Sequence, residues 1–213
     1  MLLLSAWPSH AHRLDEYLQA TTIALEKDRV QVSMRLIPGV AIIPVVLASI
    51  DTDANGVISE VEQRAHAKRV QHDLSLVING ERPTLRLISS TFPNIETLKE
   101  GLGEIQLEFA ADASRAGNRH KLVFENRHQS AIGTYLVNSL IPRDEAFRIT
   151  AQNRSYDQSS YELDYVEAST QSFPGLGDWS APWDWADMAG LLLLTGAALV
   201  WRRYRVTIGT RQT

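Results

Sequence analysis

Apolar and polar residues alternate with a period of two through most of the middle of this 213-residue chain. Val30, Val32, Met34 and Leu36 interleave with Arg29, Gln31, Ser33 and Arg35, and Ile105, Leu107 and Phe109 interleave with Glu104, Gln106 and Glu108. Leu74, Leu76 and Ile78, then Tyr161, Leu163 and Tyr165, repeat the pattern less strictly. Successive side chains of a strand point to opposite faces, so these segments predict strands with one face on a core and one in water. Weaker candidates lie at 17–26, 83–90, 119–126, 133–141 and 146–153. Roughly seven to nine short strands at this spacing predict a mainly β fold, an antiparallel β-sandwich-like domain. A mixed α+β sheet is the alternative. Asn79-Gly80 marks a turn, although the four-residue connection Asn-Gly-Glu-Arg leaves its type open.

One stretch interrupts the alternation. After Pro38-Gly39 the run VAIIPVVLASI is almost wholly apolar, and Pro44 is tolerated in a first helical turn. From residue 59 the chain is rich in helix formers, with Val61 and Ala65, then Val70 and Leu74, at i,i+4 spacing. A helix–loop–helix inserted between two strands is expected. Its loop reads Asp51-Thr-Asp53-Ala-Asn55-Gly56-Val57-Ile58-Ser59-Glu-Val-Glu62. Oxygen donors recur here at alternate positions, and a hard cation such as calcium takes six to eight oxygens at about 2.3–2.6 Å. Asp51, Asp53 and Asn55 offer side-chain oxygens, Val57 its carbonyl, Ser59 a direct or water-mediated contact, and Glu62 both carboxylate oxygens. Gly56 permits the sharp bend, and the apolar Ile58 is expected to pack inward. Three other readings stand beside this one. The first part of the loop is also a polar turn, Ser59-x-x-Glu62 is also a capping box, and the whole could keep the shape without an ion. No imidazole or thiolate falls in the loop, which favours calcium over softer metals.

Residues 40–75 thus resemble an EF-hand, matching at Asp51, Asp53, Asn55, Val57, Ser59 and Glu62. EF-hands usually pair, and the sequence shows no second loop. A lone hand is similar to the structural calcium sites of extracellular modules, which implies an affinity on the order of 10⁻⁴ to 10⁻³ M. A looser similarity covers 11–80, where AHRLDEYLQAT precedes a strand, an apolar helix and IDTDANGVIS. It resembles the extracytoplasmic domain of bacterial nickel-permease-like membrane proteins.

The chain ends suggest an address. Ala186–Trp201 is ADMAGLLLLTGAALVW, with Trp179, Trp183 and Trp185 before it and Arg202, Arg203 and Arg205 after it. Clustered tryptophans and an abrupt basic stop mark a transmembrane helix over 186–204, with a buried core helix as the alternative. The basic tail 205–213 is then cytoplasmic and the β-rich domain, residues 12–168, extracytoplasmic; 169–185, with Pro174, Gly175, Gly177 and Pro182, reads as a linker. Residues 1–11 read as a truncated signal peptide, with cleavage after Ala11.

A net charge of −4 argues against nucleic-acid binding, and the absence of cysteine excludes disulfides, thiolate metal sites and cysteine nucleophiles. No catalytic constellation is present, so no enzyme activity is expected. The six histidines are expected to be scattered and exposed, apart from a metal-binding option for His10 and His12 near a mature amino terminus. The expectation is a membrane-anchored, extracytoplasmic calcium-binding protein (periplasmic if bacterial) that meets a partner, such as a membrane protein, at the membrane surface. Calcium would be structural or regulatory. The alternative is an accessory domain of a nickel- or cobalt-type uptake system.

Overall fold

The alternating segments all become strands. The structure is a computed structural model that describes residues 15–113 and 117–168. The expected signal peptide, linker, membrane span and basic tail, together with His10 and His12, lie outside the described residues. Among the described residues no helix is long and apolar enough to cross a membrane.

Nine strands form two sheets: β1 (Tyr17–Leu25), β2 (Arg29–Pro38), β3 (Leu74–Ile78), β4 (Arg86–Thr91), β5 (Ile105–Asp112), β6 (Arg119–Asn126), β7 (Gly133–Ser139), β8 (Phe147–Arg154) and β9 (Ser160–Glu167). The first sheet has the order β4-β5-β2-β1-β7 and the second β3-β6-β9-β8. In β1 and β9 every second residue is buried, as the period of two requires. Tyr17, Val32, Leu107 and Phe109 of one sheet and Leu76, Phe124, Tyr161 and Leu163 of the other join a single hydrophobic cluster. The fold is therefore mainly β, with both sheets facing one core.

Two features differ from the sequence expectation. The sheets are not wholly antiparallel, because β7 runs parallel to β1 with Tyr17 opposite Gly133. The chain leaves β6 in the second sheet and passes through residues 127–132. It then enters the first sheet at the same end as β1, where the Tyr17 amide donates to the Ile132 carbonyl at 2.8 Å. A crossing between sheets, unlike a hairpin, leaves strand direction free. Asn79-Gly80, in turn, is a two-residue turn with both φ values positive (53° and 86°). It joins Ile78 to Glu81 by paired backbone bonds, after which the chain abandons the hairpin and β4 joins the other sheet.

The helical insertion carries the chain from β2 in one sheet to β3 in the other. A short 3-10 turn (Val40–Ile42) leads into α1 (Ile43–Ile50), which has Pro44 in its first turn; the loop and α2 (Glu60–Asp73) follow. On α1, Ile43, Val46 and Ile50 are buried. On α2 the buried residues are Glu62, His66, Ala67 and Val70, whereas Val61 is 68% exposed. The inward stripe is therefore Glu62–His66–Val70: Val70 lies inward as expected, whereas in the first half of the helix Glu62 and His66 take the inward positions expected for Val61 and Ala65. The expectation of scattered exposed histidines is also corrected: His66, His120 and His128 are buried at 0%, 5% and 3% exposure. A short third helix, α3 (Ile95–Lys99), is capped by the Asn94 side chain, which accepts from the Thr97 amide at 2.7 Å.

Candidate metal centre

The loop between α1 and α2 is folded by its own acidic side chains. Asp51 ends α1, its amide donating to the Leu47 carbonyl. Its two carboxylate oxygens then accept from the amides of Asn55 (3.1 Å) and Gly56 (3.0 Å). Asp53 accepts from the Asn55 amide at 3.2 Å and from the Asn55 side-chain nitrogen at 2.8 Å. The Asn55 side-chain oxygen accepts from the Val57 amide at 2.8 Å. Short polar side chains that bond backbone two to five residues ahead wind a chain into consecutive turns. Gly56 sits at φ +81° with open space around its α-carbon, so its backbone angle, not crowding, calls for glycine. Ala54 also adopts a left-handed conformation, at φ 56°.

Glu62 ties the two ends of the loop together. One carboxylate oxygen accepts from the Thr52 amide (2.6 Å) and hydroxyl (3.1 Å), the other from the Ser59 amide (3.0 Å) and hydroxyl (2.8 Å). Ser59 is the N-cap of α2, and both halves of the capping box are formed. The bonds from Ser59, then those from Thr52, stabilise the charged carboxylate and hold the Glu62 pKa down to about 2. The carboxylate is therefore ionised throughout the physiological range.

Asp51, Asp53 and Glu62 each place a carboxylate oxygen within 4.8 Å of the others. Oxygens that share one calcium at about 2.3–2.6 Å are separated by at most about 5 Å, so these three are close enough to share an ion. Asn55 joins the group through Asp53, and Ser59 through Glu62. Val57 is 65% exposed, while Ile58 turns inward into the hydrophobic cluster as expected. The donor set is all oxygen and rich in carboxylates, which fits a hard divalent cation. The Ile58 carbonyl accepts from the Gln63 side chain at 3.1 Å, so α2 satisfies it locally.

Sequence reasoning missed the buried polar residues behind α2. Gln19 and Asn126 are buried and bonded to each other at 2.9 Å, and Gln19 also donates to the His128 carbonyl at 2.7 Å. Only the i,i+4 spacing of Glu62, His66 and Val70 carried a signal for any of this. Comparison with family models, with curated proteins and with solved structures finds no match to this chain.

Proposed function

We propose that this chain is a membrane-anchored, extracytoplasmic calcium-binding protein in which Asp51, Asp53, Asn55, Val57, Ser59 and Glu62 hold the ion. The observation that carries the reading is the convergence of the Asp51, Asp53 and Glu62 carboxylates within 4.8 Å in a loop bent at Gly56. The anchor, a helix over 186–204, rests on the apolar run at 186–201 with its flanking tryptophans and arginines, and the address on the charge asymmetry across it. Calcium would draw together three carboxylates whose mutual repulsion otherwise opposes the loop. It would thereby fasten α1 and α2 across the crossover between the sheets. The surface so held would meet a partner at the membrane.

The test is calcium titration of the purified full-length chain, followed by melting temperature. At free calcium one hundred times Kd, binding adds about 2.7 kcal/mol to stability, and the melting temperature rises accordingly. Glu62→Gln and Asp51→Asn should abolish the rise. A parent whose melting curve ignores calcium even at tens of millimolar, well above the expected Kd, would remove the ion from the proposal.

A further inference from the structure

Three side chains outside the acidic loop converge inside the domain. His66 on α2 and His128 in the β6–β7 connection lie side by side, with ring planes at 80° and ring centroids 5.6 Å apart. Tyr17, the first residue of β1, meets the same His128 ring at 6.2 Å. All three are buried. Both ring nitrogens of His66, Nε2 of His128 and the Tyr17 hydroxyl have no hydrogen-bond partner among the described residues. A buried polar atom left unpaired is costly, so neighbouring buried rings that carry such atoms call for a polar occupant.

The surroundings favour a metal ion over water. His128 Nδ1 lies 2.7 Å from an Asp73 carboxylate oxygen. That bond fixes the proton on Nδ1 and leaves Nε2 as a free lone pair, the arrangement by which carboxylates orient metal-binding histidines. The backbone of His128 is locked as well. Its carbonyl accepts from Gln19 and from the Tyr135 hydroxyl (3.0 Å), and its amide donates to Asn126 at 2.9 Å. Two imidazoles on one zinc, with Zn–N distances of about 2.0–2.1 Å in tetrahedral geometry, place their ring centres roughly 5–6 Å apart, which spans the observed separation. Phe92 packs edge-on against His66 at 5.8 Å and helps to exclude water. The Arg69 guanidinium acts on both histidines and is bound to the Ser49 carbonyl. Asp73 supplies opposing negative charge, whereas burial holds the Tyr17 phenol protonated, so only the metal itself would draw that proton off.

We propose that His66, His128 and Tyr17 form a buried site for a divalent transition metal of the zinc class, with Asp73 as the residue that positions His128. Binding would release the Tyr17 phenol proton to solvent as the oxygen joins the metal. The site is independent of the acidic loop: nitrogen donors suit a borderline-soft ion, and the loop's oxygens a hard one.

The experiment refolds the full-length chain with zinc chloride, dialyses it, and measures retained zinc by elemental analysis. A parallel cobalt(II) sample is followed by its visible spectrum. The site predicts about one zinc per chain. Asp73→Asn should weaken zinc binding about 10- to 100-fold and shift the cobalt spectrum. Tyr17→Phe, which removes only an oxygen, should also weaken it, and His66→Leu should abolish it. Asp51→Asn and Glu62→Gln should retain zinc, which separates this site from the calcium loop. A parent chain that retains no zinc overturns the proposal. So does zinc held equally well by Asp73→Asn, Tyr17→Phe and His66→Leu, since the metal would then sit elsewhere, for example on His10 and His12.

Discussion

Glu62 and His66 lie one helical turn apart on the buried face of α2, and each resists taking up a proton for a different reason. Glu62 is held down to about 2 by hydrogen bonds from Ser59 and Thr52, against an ordinary carboxyl value of 4.5. His66 is held down to about 3, chiefly by burial and then by the charges of His128 and Arg69, against an ordinary 6.5. Both folded-state values lie below the unfolded ones, so in both cases the unfolded chain binds the proton first and acid weakens the fold. In metal-free buffer the urea midpoint should fall in two stages. The first begins below about pH 6.5 as unfolded His66 charges, and the second below about pH 4.5 as unfolded Glu62 protonates, continuing towards pH 2. His66→Leu should flatten most of the first stage, leaving the part that His128, also lowered by burial, contributes. Glu62→Gln should flatten the second. A His66→Leu profile that tracks the parent between pH 6.5 and 4.5 would show that this ring is not held neutral by burial. Neither residue was legible as buried, because hydrophobic periodicity scores a glutamate and a histidine as solvent-facing. They are inside because hydrogen bonds satisfy Glu62 and because apolar neighbours such as Ala67 and Val70 share the stripe.

At the scale of the element, the loop holds its shape through two left-handed positions and a set of side-chain-to-backbone bonds. Only one of those positions carries glycine: Gly56 is at φ +81° and Ala54 at φ 56°. A residue with a β-carbon costs about 1–2 kcal/mol in that region. Gly56→Ala should therefore lower stability by about that amount in chemical denaturation with chelator present. Ala54→Gly should raise it by up to about 1 kcal/mol, the relief being partly offset by the entropy that glycine loses on folding. If both variants denature at the parent midpoint, the loop does not rest on these angles. The sequence made the bend at Gly56 and the inward Ile58 legible, since both follow from position within the twelve residues. It did not reveal that Ala54 is left-handed, because alanine carries no preference for that region. Helix α3 escaped notice for a related reason: five residues are too few to show a period, and Asn94 was its only local signal.

For the whole molecule, the two sheets depend on one core. Phe109 on β5 is fully buried in the cluster that also contains Phe124, Tyr161 and Leu163 of the opposite sheet. Phe109→Ala should cost about 3–5 kcal/mol, the cost of emptying so large a buried volume. Near-ultraviolet and far-ultraviolet dichroism should still lose signal at one shared midpoint. Separate midpoints would mean that the sheets are energetically distinct. Most of the strands were readable because a half-buried strand writes its two faces into alternate residues, whereas β4 and β8 bury almost nothing and carry no such pattern. The order β4-β5-β2-β1-β7 and the parallel β1–β7 pair were not, because pairing between distant segments leaves no local trace. That pairing also bears on synthesis. Gln19 on β1 reaches across 109 residues to the carbonyl of His128, just ahead of the strand that completes its sheet. Wherever the chain is delivered amino end first, β1 and β2 can zip together early, yet the outer edge of β1 stays bare until β7 follows. The nascent chain must therefore pass through a long interval with an open, sticky border, in which a chaperone that shields strand edges would matter most.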